Sequence, residues 1–218
     1  CNTEPVGSFQ NLLIVADGMG GHRAGDYASR LCVETMVQSL EKSAHKTPVS
    51  LFEEAVTAAN KAVFEESASH VEYEGMGTTV VACTLQENTL YIANIGDSRL
   101  YLIRDGIEQI TDDHSLVEEM VKQGNITESE ARIHPQKNII TRALGINEEV
   151  QADFFEIDVE QGDVIMLCSD GLSNMIEDED MEYIVKNSDT LQTAAESLVA
   201  RANENGGNDN ITVVLAEV

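Results

Sequence analysis

The sequence predicts an α+β fold in which a central antiparallel β-sandwich is flanked by pairs of helices. Three observations support this prediction: β-branched apolar runs separated by turn signals, helical apolar spacing on both sides of them, and a mixed order of elements without a repeat. A doubly wound parallel sheet would instead need helices that alternate regularly with strands. With 218 residues, of which 42% are hydrophobic, the chain has enough apolar material for a single domain over 1–218.

The first elements are a short apolar strand at 12–16 and two helices at about 25–40 and 49–69. Apolar residues recur at helical spacing in both helices, and a proline separates them. From Thr78 the pattern changes to β-branched segments with Glu-Asn, Gly-Asp-Ser and Asp-Gly turn signals. We therefore predict a meander of antiparallel strands as far as Thr111.

The second half of the chain continues the mixed order. Helical patterning returns over 115–134, where Thr127 and Glu130 have the spacing of a capping box. The remaining predicted elements are strands at 152–159, 163–169 and 211–218 and helices at about 178–186 and 190–204.

The composition excludes some classes of partner. The formal net charge is −26, so a nucleic-acid partner is not expected, because nucleic-acid binding draws on basic residues. No apolar run approaches the roughly 20 residues that cross a bilayer, so we expect no membrane segment in this chain. The four cysteines form no C-x-x-C pair, which favours a reducing cytoplasm.

Three aspartates stand at the edges of three separate apolar strands. Asp17 follows one strand, Asp170 follows another, and Asp209 comes shortly before the last. Each has glycine beside it or close by, which lets backbone approach a ligand. Asp113, after the predicted meander, is a fourth candidate. Taken singly, each of these sites is also explained as an ordinary turn.

A shared site for these carboxylates would have a specific chemistry. Like charges brought together raise each other's pKa and destabilise the fold unless a cation compensates them. Mg²⁺ and Mn²⁺ accept such oxygen ligands. Two such ions roughly 3.5–4 Å apart can activate a shared water, so convergence of the aspartates would predict metal-assisted hydrolysis.

Seven ordered motifs carry a family resemblance that covers the chain from about residue 12 to its end. Together they closely resemble the metal-dependent protein phosphatase family of type 2C, and in particular its bacterial branch. The motifs are VADGMGGHRAGDYAS (15–29), GMGTTVV (75–81), ANIGDSRLYLIRDG (93–106), ITDDHSLVEEMVKQG (110–124), ITRALG (140–145), GDVIMLCSDGL (162–172) and GGNDNITVVL (206–215).

The resemblance implies roles for the site residues. Asp17 would bridge two Mn²⁺ or Mg²⁺ ions with the Gly18 carbonyl on one of them, and Asp170 and Asp209 would complete the first ion's ligands. The catalytic residues are therefore Asp17, Asp170 and Asp209. A possible third ion would be held by Asp113 and Asp170. The implied reaction is attack of a metal-bound hydroxide on phosphoserine or phosphothreonine in proteins, without a phosphoenzyme.

The resemblance also implies partners. The segment 115–138 matches the family's flap, which is thought to affect substrate choice, and we call it the flap. The expected substrates are phosphorylated proteins, and the protein would oppose a bacterial Ser/Thr kinase as a cytoplasmic monomer. Two alternatives stay open: a non-catalytic scaffold of the same fold, and a phosphatase for small metabolite esters.

Two departures from the family pattern bear on these expectations. Members normally carry, upstream of the first motif, a phosphate-holding arginine and an Asn-(Glu/Gln)-Asp cluster, and nothing before Leu12 matches them. We expect that an N-terminal segment is missing from this sequence; a naturally altered member is the alternative. Met19 stands where some relatives have a histidine proposed as general acid, and a thioether cannot donate a proton.

Several other polar residues have competing interpretations. His22 belongs to the bacterial motif, where we favour a structural over a catalytic role. For the segment 97–99 we expect a structural role in its loop. Arg142 could approach phosphate or form an ion pair, and His114 is expected to be a hydrogen-bonded loop residue.

Overall fold

Ten β-strands and seven α-helices form in residues 5–218, which a computed structural model describes apart from the side chain of His22. The strands are β1 (Leu13–Val15), β2 (Gly18–Met19), β3 (Gly77–Thr78), β4 (Val80–Gln86), β5 (Thr89–Ile95), β6 (Arg99–Ile103), β7 (Ile107–Gln109), β8 (Asp153–Asp158), β9 (Val164–Cys168) and β10 (Val213–Glu217). The helices are α1 (His22–Lys42), α2 (Pro48–Ser69), α3 (Leu116–Lys122), α4 (Glu128–Arg132), α5 (Asp170–Ser173), α6 (Asp178–Asn187) and α7 (Leu191–Glu204), with one turn of 3₁₀ helix at Val71–Tyr73.

Two four-stranded sheets form the centre of the molecule. Their strand orders are β1-β4-β5-β8 and β10-β9-β6-β7, and every pairing is antiparallel. The short strands β2 and β3 form a separate antiparallel pair. The predicted antiparallel sandwich is therefore confirmed.

Three apolar clusters lie in successive layers. One packs α1 and α2 against the first sheet, one fills the space between the sheets, and one packs α5 to α7 against the second sheet. In β4, Val80 and Ala82 face the helices whereas Val81 and Cys83 face the other sheet. Because both faces of this strand are buried, its sequence is a continuous apolar run rather than an alternating one.

The prediction of one continuous meander was wrong. The strands β4 and β5 form a hairpin in the first sheet, whereas β6 and β7 form a hairpin in the second. The link 96–98 carries the chain between the sheets. Gly96 has a φ of +103°, and a Cβ there would lie 2.6 Å from the Thr79 Cγ2 atom, so this crossing requires glycine. Turn signals look the same whether the next strand stays in its sheet or leaves it.

The predicted helical stretch at 115–134 is two short helices, α3 and α4. Gly124, with a φ of +72°, lies between them. The predicted capping box is confirmed, since Thr127 accepts from the Glu130 amide while the Glu130 carboxylate accepts from the Thr127 amide. The short helix α5, which begins at Asp170, was not predicted.

An ion pair between the half-exposed Arg104 and the buried Asp163, at the turn between β8 and β9, is expected to make stability depend on pH. Arg104 donates to both oxygens of the buried Asp163 at 2.8 and 2.7 Å, which lowers the pKa of Asp163. Because its pKa is lower in the folded state, the ionised Asp163 stabilises the fold at pH values above its unfolded-state pKa of about 3.9. This stabilisation is lost as the pH falls through the folded-state pKa. We expect Asp163→Asn to be less stable than wild type at pH 7 in urea unfolding, with a difference that narrows below about pH 4. A constant difference from pH 7 to pH 3 would contradict this assignment.

Among the described residues, no helix is long and apolar enough to cross a bilayer.

Candidate metal centre

Asp17 is held by its backbone at the end of the first sheet. Its amide donates to the Thr79 hydroxyl at 3.0 Å, and its carbonyl accepts from the Thr79 amide at 2.8 Å and from the Thr78 hydroxyl at 2.9 Å. Both threonines are buried. These bonds fix the backbone of Asp17, so its side chain extends from a rigid position at the solvent-facing end of the sheet.

The Thr79 hydroxyl gives a direct test of this anchoring. It also lies 2.7 Å from the Ser98 hydroxyl, so Thr79→Val leaves the buried amide of Asp17 without its acceptor. We expect Thr79→Val to lower the free energy of unfolding by about 1–3 kcal/mol and activity by about tenfold or more. Urea unfolding and phosphatase assays measure the two effects. Thr79→Ser keeps the hydroxyl and is the matched control; equal losses in both variants would contradict the role of the hydroxyl.

Gly18 follows Asp17 and packs closely against the start of α1. A Cβ on Gly18 would lie 1.9 Å from the carbonyl oxygen of Gly25. Only glycine fits at this contact. The backbone at 17–18 can therefore pack directly against the first turns of α1, which fixes their relative position. A role of the Gly18 carbonyl as a metal ligand stays a prediction.

Asp170 is the first residue of α5, two residues after the end of β9. Asn174 donates to its carboxylate at 3.1 Å. The preceding Ser169 hydroxyl donates to the Asn210 carbonyl at 3.2 Å and accepts from the Thr212 amide at 3.1 Å. These bonds tie the end of β9 to the loop that contains Asp209.

Asp209 lies in an exposed loop just before β10. Its carboxylate accepts from the Asn210 amide at 2.8 Å. A Cβ on Gly171 would lie 2.1 Å from the Asn210 carbonyl oxygen, so the loop runs directly past the start of α5. The three predicted aspartates thus come from three elements that the fold brings to one end of the sandwich.

The pKa shifts show that these carboxyl groups influence each other. Burial, followed by the charges of Asp170 and Asp209, raises the pKa of Asp17 to about 7. A hydrogen bond joins the carboxyl groups of Asp17 and Asp170. Burial and then Asp209 also raise the pKa of Asp170. A divalent cation would remove this repulsion, and carboxylate oxygens are the ligands that Mn²⁺ and Mg²⁺ accept.

Within the described part of the chain, no three His, Cys, Asp or Glu side chains already surround a common point at distances that would hold a metal ion. Asp17 and Asp170 share a hydrogen bond, whereas Asp209 is exposed and interacts with them through its charge. The donor set fits a hard divalent cation, because carboxylate oxygens are the ligands that such ions accept.

Asp97 is a carboxylate of this site that sequence analysis assigned to a loop. Burial, followed by the charges of Asp170, Asp113 and Asp17, raises its pKa to about 7. It lies at the crossing between the two sheets, two residues after β5. The signal for it was present, since Asp97 follows an apolar strand and has a glycine beside it, as Asp17 and Asp170 do.

Asp113 has a different environment from the other predicted ligands. Arg99 donates to both of its carboxylate oxygens at 2.9 and 2.8 Å, and Gln109 donates to it at 3.2 Å. Its charge is therefore already compensated by a guanidinium. The role of Asp113 with Asp170 at a third ion stays a prediction, and Asp97 is a further carboxylate near Asp170.

His114 and Arg142 have structural contacts. His114 accepts from the Gly96 amide through Nδ1 at 3.0 Å, and its Nε2 atom lies 2.9 Å from the Asp153 carboxylate. Arg142 donates to Asp153 at 2.8 Å. The expected loop role of His114 and the ion-pair alternative for Arg142 agree with these contacts. The side chain of His22 lies outside the described part of the structure.

Comparison with known proteins decides the family. The model of the family described as protein phosphatase 2C matches residues 6–216. The chain belongs to the protein phosphatase 2C family. The predicted bacterial family, the enzyme class of protein phosphatase and the α+β fold are thereby confirmed, and catalysis is favoured over the non-catalytic alternative.

Individual protein phosphatase 2C relatives match over nearly their whole length. The serine/threonine phosphatase stp of Listeria monocytogenes is 40% identical, with 99% of this chain and 90% of the relative covered. The crystal structure of the Mycobacterium tuberculosis serine/threonine phosphatase PstP/Ppp has a TM-score of 0.88 at 38% identity, over 95% of this chain and 88% of that one. A catalytic domain of PstP, solved in complex with two manganese ions, has a TM-score of 0.85 at 37% identity, over 94% and 86% of the two chains. The expected dependence on Mn²⁺ or Mg²⁺ fits this family.

Proposed function

We propose that the protein removes phosphate from phosphoserine and phosphothreonine in protein substrates. The observation that carries this proposal is the meeting of the Asp17 and Asp170 carboxyl groups, with Asp209 beside them, at one end of a protein phosphatase 2C fold. The serine/threonine phosphatases among its relatives support the same substrate class.

Asp17, Asp170 and Asp209, with the Gly18 carbonyl, would hold two Mn²⁺ or Mg²⁺ ions, and Asp113 with Asp170 would hold a possible third. When bound, the ions supply Lewis-acid activation of water and of the phosphoryl oxygens. The chain's contribution is to fix the carboxylates: Asp17 through its backbone bonds to Thr79, and Asp170 through the bond from Asn174.

The described cysteines are unsuited to act as nucleophiles. Burial raises the pKa of Cys32 and Cys168 to about 12, and it raises the pKa of Cys83 as well. The thiolate is the reactive form, and these buried groups remain thiols at neutral pH. This favours direct attack of water over a covalent phosphocysteine.

The setting of the enzyme is part of the proposal. It comprises a single domain over 1–218 with the flap at 115–138, a monomeric state and a location in the cytoplasm. Its substrates would be a Ser/Thr kinase and the targets of that kinase.

Phosphate release from a phosphothreonine peptide tests the function. We expect release that depends on Mn²⁺ or Mg²⁺, stops with a chelator and is restored when the ion is added back. Asp170→Asn should remove nearly all of it, whereas the exposed Asp189→Asn should not. Lack of release by the full chain with ample Mn²⁺ would contradict the proposal, and faster hydrolysis of small phosphate esters than of phosphopeptides would favour the metabolite alternative.

A further inference from the structure

A cavity of about 550 Å³ lies between the flap and the region where α5 leads into α6. One side consists of residues of α3 and α4 in the flap, and the opposite side includes Ser173, Asn174 and the first residues of α6. The cavity reaches Asp97 and Asp170 of the candidate metal centre. It is therefore open to whatever part of a substrate lies next to the phosphate.

The charge of this cavity is strongly negative. Nine acidic and three basic side chains line it. Arg99 is paired with Asp113 at 2.8 Å, and Arg132 is paired with Glu177 at 3.0 Å, so Lys137 is the basic lining residue without an ion pair among the described residues. The acidic side chains stay in excess even when Asp97 and Asp170 are set aside for metal ions.

Two of the acidic residues line the cavity from its two opposite sides. Glu128 lines it from the start of α4, and Glu179 lines it from the first turn of α6. Both are exposed, and neither forms an ion pair within the part of the chain that the structure describes. Their charges are thus available to a ligand.

A buried hydroxyl adds a second feature to the cavity. Ser173 is 4% exposed and lines the cavity at the end of α5. Its hydroxyl forms no hydrogen bond with any described residue, so it can bond to water or to a ligand in the cavity.

The two walls are held together by direct contacts. Arg132 of the flap donates to the Ile176 carbonyl at 3.2 Å in addition to its pair with Glu177. These contacts hold the cavity open in the folded protein, so a substrate can bind in it.

We propose that this cavity binds lysine or arginine side chains that flank the phosphorylated residue of the substrate. The inference rests on the proposed phosphatase function and names its substrate class. A protein with a net charge of −26 repels a phosphopeptide, and basic flanking residues offset that repulsion while they fill an acidic subsite. Unpaired carboxylates and a free hydroxyl suit an ammonium or guanidinium group.

Matched phosphothreonine peptides test the inference. Three versions carry two arginines, two alanines or two glutamates on one side of the phosphothreonine, and a second set places them on the other side. We expect kcat/KM with Mn²⁺ to be about tenfold or more higher for arginine than for glutamate in at least one set at low salt. The ratio should shrink at about 0.5 M salt, because screening weakens the charge interactions.

Variants of Glu128 and Glu179 test whether the cavity causes the preference for arginine peptides. The double variant Glu128→Gln/Glu179→Gln should reduce the arginine-to-glutamate ratio of kcat/KM by about threefold or more, and Glu128→Lys/Glu179→Lys should reduce it further. The ratio is independent of any general loss of activity. Glu149→Gln, an exposed change outside the cavity, is the matched control and should leave the ratio unchanged.

Two results would overturn the inference: equal kcat/KM for the arginine and glutamate peptides in both sets, or a preference that the double variant leaves unchanged. p-Nitrophenyl phosphate, which has no flanking residues, separates this failure from a failure of the proposed function. No release from any peptide or from this ester would contradict the proposed function, and the inference would fall with it.

Discussion

Asp17→Asn is expected to lower Mn²⁺-dependent kcat/KM by about 10³-fold or more. Asp17 shares a hydrogen bond with Asp170 and interacts with the charge of Asp209, so it is the carboxylate common to the site. An amide has nearly the same shape but lacks the negative charge that a pair of cations needs. Initial rates of phosphate release over a range of Mn²⁺ concentrations measure the loss.

Stability separates this loss of activity from unfolding. Because burial and its neighbours raise the pKa of Asp17 to about 7, its ionised form destabilises the metal-free protein at pH 8. The metal-free Asp17→Asn variant should therefore be at least as stable as wild type, as measured by thermal unfolding. Asp189→Asn, an exposed change away from the site, should keep wild-type activity. A variant that retained more than about a tenth of wild-type activity would contradict the role of Asp17.

Arg99→Ala is expected to lower the free energy of unfolding by about 3 kcal/mol or more. The Arg99 and Asp113 side chains are 20% and 11% exposed, and removal of the guanidinium leaves a buried carboxylate without its partner. Arg99 also donates to the Tyr101 hydroxyl at 2.8 Å, and that bond is lost as well. Urea unfolding at pH 7 measures the change.

A double-mutant cycle isolates the ion pair between Arg99 and Asp113. The double variant Arg99→Ala/Asp113→Ala removes the stranded charge, so its destabilisation should be clearly smaller than the sum of the two single changes. Additive effects would show that the two side chains do not depend on each other. A loss below about 1 kcal/mol for Arg99→Ala would likewise contradict the pairing.

The candidate site shows both the strength and the limit of the sequence pattern. Asp17, Asp170 and Asp209 were predicted because each lies where an apolar strand meets a glycine-containing loop, and the fold brings these three loops to one end. Asp97 and Asp113 both lie near strand ends, and sequence position alone does not say which one faces the other acids. The structure shows that Asp113 is paired with the guanidinium of Arg99, and this contact between residues of different elements could not be predicted from sequence position.

The arrangement of the strands could likewise be predicted from the sequence only in part. The hairpins β4-β5 and β6-β7 were visible in the turn signals, because hairpin turns are local. The chain passes from one sheet to the other at Gly96. Gly96 packs there against Thr79, which precedes the paired strand β4, so the two residues are distant in sequence. The cavity beneath the flap depends in the same way on Arg132 reaching α5 and α6, so its acidic lining could not be read from neighbouring residues.

Crystals of the protein grown with Mn²⁺ test the central claim most directly, when data are collected on both sides of the manganese absorption edge. We expect two anomalous peaks in contact with the Asp17 carboxylate, with Asp170 and Asp209 bound to one of them. Peaks that do not touch Asp17, or no peak at this end of the sandwich at saturating Mn²⁺, would contradict the assignment of a metal centre to these aspartates.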